Sequence, residues 1–560
     1  MASNVTQVAD SHSLALALAL ALETLRHSFI AQSLLTVLAI CVCTRFLSSH
    51  WFQSVKYGSG RNITPPTLPY WIPGLRHALS MAYDSKAFLA KCLNKYGDGS
   101  PFFLDGAGQK MLIVLDPEHV KGVLNSSQDL DPNPFIHDKI MGALMASPQA
   151  AIDYYNSEDS NTDHIQTTHI RQHTTGSNLG MLDKRLFDTL KASIEESMKT
   201  TARDEWKEIP DLFAFLQHHV THAIATTLLG SSLIASYPGI VDDLWIHIEA
   251  TDQFFMGLPR FVIPKAYAAR DRILSNIGSW TAKSEDLRRQ NKVNTTWDPV
   301  AGSGLLQERE ALYGAMPGHG VEGRSAQTLG LLYGGTSLTV PVTFWYLFET
   351  LRNPDLRARV SALIDGHANP ESSTYNFMQL TTRPLLQSLH AETTRLYSSN
   401  LAVRQVTADV YALDDKYTIA KGTQVFLVNK YSGQFEPGWA QTRPQALTRP
   451  LETFWAERFL VSNSAAAEPN EKRERFSDAG LTGTWTSFGG GEHKCPGRHF
   501  ARNIGIVTLA VFMGDFEVQV AETCDMDHVV PSPRSKAFGT VTPKSRVAAR
   551  IRRRQGHVSK

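Results

Sequence analysis

One cysteine near the end of the chain stands in a setting suited to chemistry. The stretch Phe488-Gly-Gly-Gly-Glu-His-Lys-Cys-Pro-Gly497 runs straight into Arg498-His-Phe-Ala-Arg-Asn-Ile-Gly-Ile-Val-Thr-Leu-Ala-Val-Phe512. Consecutive glycines can take positive φ and lie flat against something large. Pro496 suits the first residue of a helix, where its missing N–H has no partner to lose, so the spacing predicts Cys495 as the N-cap of a long apolar helix. Free N–H groups and the positive end of the helix dipole would then stabilise a thiolate. A thiolate at the end of a Gly-rich loop suits the axial position of a haem iron, where its electron donation favours O–O cleavage. Two other readings exist: an inert buried thiol at a helix start, and a zinc site from His493, Cys495 and His499, which lacks a fourth ligand. The Gly-rich approach, the capping position and Gly497 agree on the iron ligand.

The elements that must hold this loop are mostly helices. Helical periodicity prevails from about residue 80, as in Leu186–Met198 and Asp211–Leu229. Strands are few and clustered: Lys110–Leu115, then Leu401–Leu427 with breaks at Asp414-Asp415 and Lys421-Gly422. The body is therefore mainly α with a small β portion. Ala146–Thr174, Lys292–Gly323 and Ser462–Gly483 read as loops. The chain's 560 residues, 42% hydrophobic and 19% charged, exclude a disordered or collagen-like protein. A net charge of +1 makes nucleic acid a poor partner. Five cysteines, Cys41, Cys43, Cys92, Cys495 and Cys524, argue against a disulfide scaffold or paired zinc knuckles.

Ser28–Thr44 is an uncharged run of a length to cross a bilayer. A buried core helix or a signal-peptide core, which Leu14–Leu22 would also suit, are the competing readings. Arg45, Lys56 and Arg61 follow the run, which places the rest of the chain in the cytoplasm. The expected organisation is a non-cytoplasmic N-terminus over 1–27, a transmembrane anchor over 28–44, a Pro-rich hinge over 45–74 and a catalytic body over 75–560. Four prolines within Ile63–Gly74 make the hinge a stiff tether.

With Cys495 in place, the sequence resembles the cytochrome P-450 superfamily. Phe488, Gly491, Cys495 and Gly497 meet its haem-binding signature Phe-x-x-Gly-x-x-x-Cys-x-Gly. Glu392-Thr-Thr-Arg395 matches its Glu-x-x-Arg, and Ala456-Glu-Arg-Phe459 its Pro-Glu-Arg-Phe with alanine replacing proline. The resemblance implies the P-450 fold, with Glu392, Arg395 and Arg458 locking the core behind the haem. It places the oxygen-activating helix over Thr328–Arg352, with Gly334-Gly335-Thr336-Ser337-Leu338 against the family's Ala/Gly-Gly-x-Asp/Glu-Thr. Ser337 and Leu338 depart from that acid and threonine, so Thr336, Ser337, Thr339, a water or a substrate hydroxyl must relay the proton. Pro341 leaves the Ser337 carbonyl without its helical donor and should open the helix there. Thr339-Val-Pro-Val-Thr-Phe-Trp345 is similar to the sterol 7α/12α-hydroxylase and prostacyclin synthase branch.

Matching positions make His493 and Arg404 the candidates for the haem carboxylates and set Phe488 against the porphyrin. His164, His169, Arg171 and His173 lie where a haem-contacting helix should run. The resemblance further implies haem b, O2, electrons from NADPH through a membrane-bound reductase docking near Lys494, Arg498 and Arg502, and a lipophilic substrate. The implied protein is a single-pass monooxygenase of the endoplasmic reticulum, facing the cytoplasm, in secondary-metabolite biosynthesis. The alternatives are a reductase-independent isomerase or dehydratase acting on a peroxide, and a non-catalytic haem binder.

Overall fold

The computed structural model describes residues 29–555 apart from 107, 158–162, 370, 373, 463–473 and 533–538. The expected N-terminal segment 1–27 lies outside the described residues. The helices that position the site are α1 (Phe29–Tyr57), α2 (Pro117–Asn125), α3 (Asp163–His173), α4 (Gly304–Gly314), α5 (Val321–Thr336), α6 (Thr339–Arg352), α7 (Pro384–Tyr397) and α8 (Arg498–Ala510). The largest sheet holds β1 (Phe102–Gly106), β2 (Gln109–Val114), β3 (Leu130–Asp131), β4 (Leu401–Val406) and β5 (Gln424–Val428), in the order β1-β2-β5-β4-β3. β2 and β5 pair in parallel, Met111 opposite Gln424 through Val114 opposite Leu427, and the other pairs are antiparallel. The chain is mainly α with a small β portion, as expected.

The core is centred on α6, which is apolar all round because it is covered all round. Phe344, Trp345, Tyr346, Leu347 and Phe348 are completely buried. Trp345 stacks on Tyr397 with centroids 4.1 Å apart and donates its indole N–H to the Val541 carbonyl at 2.7 Å.

Several expectations need correction. Two segments read as loops contain helices: 146–174 holds Gln149–Tyr155 and α3, and 292–323 holds α4. Their polar residues pair across the helices, His173 Nε2 lying 3.0 Å from Glu308, so polarity did not mean irregular backbone. Within 462–483, short strands Leu460–Ser462 and Glu474–Phe476 pair at the described edges.

The helix that begins in the apolar run extends beyond the expected anchor boundary at 44 into the expected Pro-rich hinge. α1 continues through Tyr57, and its last turns dock on the body: Phe52 is buried edge-on to Tyr96, and Lys56 Nζ lies 2.7 Å from Asp98. The Pro-rich stretch packs too: Leu68 is buried and donates its amide to the Phe103 carbonyl, while the Phe103 amide donates to the Pro66 carbonyl. A tether that covers a sheet edge satisfies its backbone there instead of in water.

Candidate active site

The glycine-rich loop presses against α2. Gly491 has φ +61, and a Cβ there would stand 2.0 Å from the Leu124 carbonyl oxygen; one on Gly490 would stand 2.8 Å from Leu124 Cδ1. The amide of Cys495 closes the loop on the Phe488 carbonyl at 2.9 Å. Gly491→Ala therefore meets both positive φ and backbone contact. We expect it to cost more than the ~1–3 kcal/mol typical of one strained residue, read as lowered haem retention per mole of folded protein.

Cys495 is not the N-cap. α8 begins at Arg498 with Gly497 capping it, because Pro496 and Gly497 form a turn first. The sulfur still receives the amides of Gly497 and Arg498, helped by the Arg498 charge, but burial outweighs them and holds the thiol above its ordinary value. A sulfur so placed becomes an anion when a cation compensates the lost hydration. Among the described residues no His/Cys/Asp/Glu cluster is arranged to hold a bare metal ion, so His493, Cys495 and His499 do not make a zinc site.

Cys495 lies where two cavities meet, each of about 430 Å³. Ile136, Ile140, Gly334, Thr339, His493, Cys495 and Ala501 line both, so they form two lobes of one void. One lobe runs between α3, α4, α5 and α8, and the other reaches Phe488, Leu338 and β4. Arg404, on β4, lines the second lobe; it is 5% exposed, and among the described residues its side chain makes one hydrogen bond, to the Val403 carbonyl at 2.9 Å. Its remaining donors suit a carboxylate. An apolar void, a thiol at its floor and a buried, underused guanidinium together fit haem. Phe488 lines the same lobe and stacks on His390, centroids 6.1 Å apart and planes 3° apart. Gly497, with only Ile170 Cγ2 near its Cβ direction at 3.7 Å, has room for a small side chain.

The oxygen-activating helix starts earlier than expected, at Val321, and is broken. Its two parts, α5 and α6, meet at Ser337 and Leu338, where Pro341 removes a donor. The Leu338 carbonyl accepts from Thr540 Oγ1 at 3.1 Å and the Val342 amide at 3.2 Å. Thr339 lines both lobes and Ser337 one. Thr336 is a correction: its hydroxyl is fully buried, donates to the Leu332 carbonyl at 2.7 Å and lies on neither wall, because a helical threonine readily bonds back one turn. Accordingly Thr339→Ala should divert most NADPH electrons to released hydrogen peroxide, whereas Thr336→Ala should leave the product-to-NADPH ratio at the parent value.

From α3 the cavity is lined by Thr167 and Ile170, and from the turn after it by Thr174. His169, Arg171 and His173 fall off the wall, and the side chain of His164 is outside the described residues. Arg502, expected on a docking surface, is largely enclosed, and burial lowers its pKa. Lys494 is exposed, 3.7 Å from Asp478, and Arg498 donates to the Cys495 carbonyl at 3.0 Å.

Behind the loop, Glu392, Arg395 and Arg458 are all buried. Glu392 accepts from Arg395 Nε at 2.7 Å and Nη2 at 2.9 Å, from Arg458 Nε at 3.0 Å and from the Trp455 amide at 3.0 Å. Arg458 also donates to the carbonyls of Ala446, Arg449, Pro450 and Thr453. The expected triad is assembled with every carboxylate oxygen used.

Tyr333 escaped the sequence reading. It lines the second lobe, one turn before Ser337, with its hydroxyl 2.9 Å from Thr251 Oγ1. The signal available was its i−4 spacing from Ser337.

Two buried imidazoles predict acid lability. Burial, with Lys207 and neighbouring histidines, pushes His219 down to about 3, and burial with Arg502 pushes His390 to about 3. Below pH ~6.5 the unfolded chain takes up protons that the folded chain refuses, so stability is full above that pH and falls towards 3, by about 1.4 kcal/mol per pH unit for each. Urea midpoints should drop between about pH 7 and 5, and His219→Gln should flatten the slope by its share.

The cytochrome P450 family model matches residues 320–547. The chain is 29% identical over 523 residues, 89% of each protein, to cytochrome P450 monooxygenase fsoE of Humicola fuscoatra. It is 27% identical to cytochrome P450 monooxygenase efuG of Hormonema carpetanum, over 92% of this chain and 95% of that one. Cytochrome P450 7B1 of Mus musculus is 23% identical over 82% of this chain and 85% of its own. By that family model over residues 320–547 and by relatives along most of its length, the chain is similar to the cytochrome P450 monooxygenases, proteins that use haem b, O2 and NADPH electrons supplied by a redox partner.

Proposed function

We propose that Cys495 is the thiolate ligand of haem b in a membrane-anchored monooxygenase that oxidises a lipophilic small molecule in secondary-metabolite biosynthesis. The observation that carries this is the position of Cys495 at the junction of two apolar lobes, with Arg404 underused on the wall. Arg404 and His493 are proposed to hold the porphyrin's carboxylates, Phe488 to pack beside the sulfur, and Gly491 and Gly497 to let the loop approach the ring. When bound, haem supplies oxygen activation and insertion of one oxygen atom into the substrate. The chain's own part is to exclude water, hold an apolar body above Cys495, and keep a proton donor near the reacting centre through Thr339 and Ser337. Tyr333 and Thr251 continue that hydroxyl series along the wall of the second lobe.

The working division is a non-cytoplasmic stretch over 1–27, a span ending near 44, and a cytoplasmic catalytic body from 75 at the endoplasmic reticulum, reduced by a membrane-bound NADPH reductase. Support comes from α1, long and apolar enough to cross a membrane. Nearby, Trp71, Leu75, Leu79 and Tyr83 are exposed, as at a membrane-facing surface. Asn62, Asn125 and Asn294 are exposed sequon residues. A cytoplasmic body leaves all of them unglycosylated on expression in microsomes, and sugar on any would reverse the orientation.

NADPH consumption that requires both reductase and an added lipophilic substrate, with one oxygen atom from labelled O2 in the product, tests the activity. Leu338 at the usual threonine position and the helix break favour one second reading, a peroxide isomerase. Turnover of an organic peroxide without reductase, and none with NADPH, would establish that instead.

A further inference from the structure

Arg309 stands on α4 one turn after Leu305, and both line the lobe between α3, α4 and α5. Its side chain is 5% exposed, and Nη1 has no hydrogen-bond partner among the described residues. The guanidinium carbon lies 5.0 Å from the centroid of the Tyr313 ring, which supports it from below without neutralising it. The flanking carboxylates pair with other cations, although Glu310 also feels the Arg309 charge. Glu308 lies 3.0 Å from His173, and Glu310 is 3.5 Å from Arg324 and 3.8 Å from Arg288. Glu492, exposed, lines the same lobe, and among the described residues no ion pair joins it to Arg309. Arginine cannot escape burial by deprotonation. A buried cation whose nearest carboxylate, Glu310, is shared with two other guanidiniums is under-compensated, and the natural complement of its planar fork is a carboxylate.

We infer that this lobe takes an amphipathic acid, its carboxylate on Arg309 and its apolar body running past Ile170 and Leu331 towards Cys495. This rests on the monooxygenase reading above and narrows its substrate class. The porphyrin's own carboxylates are the other possible source. They leave one edge of the ring, and Arg404 faces the opposite lobe from Arg309, so the substrate is the source assigned here.

The test uses full-length holoenzyme in detergent or nanodiscs and two probe pairs, palmitic acid with its methyl ester and lithocholic acid with its methyl ester, titrated by the substrate-induced Soret shift. At least one acid should bind roughly tenfold or more tighter than its ester, the ratio expected for hydrogen bonds to a charged group. Arg309→Met should erase that preference while haem per protein, by pyridine haemochrome, stays at the parent level; Arg309→Lys should keep part of it. No acid preferred over its ester in the parent enzyme overturns the inference without needing any variant. Loss of haem from a folded Arg309→Met protein also overturns it and gives Arg309 to the porphyrin. A thiolate band in the reduced carbon monoxide spectrum of the same preparation separates failure of this inference from failure of the monooxygenase reading.

Discussion

Cys495→Ala removes the thiolate band from the reduced carbon monoxide difference spectrum and takes reductase-dependent oxidation to background. Among the described residues the sulfur is the one soft anion-forming group on the floor shared by both lobes, and His493, two residues earlier on the same loop, is a harder ligand. The fold should survive, because the loop is closed by the Cys495 amide on the Phe488 carbonyl and not by the side chain. Circular dichroism of the parent kind with loss of the thiolate band is therefore the expected pair of results. A variant that keeps both the band and the activity would remove Cys495 from the chemistry.

Glu392→Gln should be the most destabilising of the conservative substitutions. The carboxylate is the shared anion of two buried guanidiniums, with two hydrogen bonds to Arg395 and one to Arg458. An amide keeps the shape but leaves that positive charge buried and uncompensated, at a cost of about 3–5 kcal/mol. Because Arg458 also gathers four backbone carbonyls from 446–453, the loss should loosen the segment behind the haem loop as well as α7. Denaturant unfolding and haem yield both read this. A loss under about 1 kcal/mol would mean that the carbonyls alone hold Arg458, since that is the scale of an ordinary hydrogen bond. Arg395→Lys should fall between, because a lysine cannot reproduce the two-pronged contact.

What the sequence made legible follows contact range. The loop from Phe488 to Gly497 is one contiguous stretch whose glycines face Leu124 directly, so residue types and spacing carried nearly the whole arrangement. The Glu392/Arg395/Arg458 triad was readable because a helical i,i+3 pair and a short motif each stay local, and only their meeting is long-range. The rotation of α3 was not readable: whether His169 or Ile170 faces the cavity depends on how that helix sits against α4 and α8. Thr336 was misplaced because its hydroxyl finds the Leu332 carbonyl, a choice that composition does not reveal. Arg502 looked like a surface charge because sequence alone does not show what α8 buries. Arg309 lies within 292–323, whose polar, Gly- and Pro-bearing sequence reads as a loop although part of it folds as α4.

The clamp between α1 and the body makes the two a single lever. With Phe52 packed on Tyr96, Lys56 paired with Asp98 and the Lys56 carbonyl held by Lys416 at 2.7 Å, the apolar rod is fixed at its base. Were that rod to cross a bilayer, any lean that bilayer thickness imposed on it would be passed to the globule, and the height at which the cavity opens over the headgroups would become a function of the lipid around it.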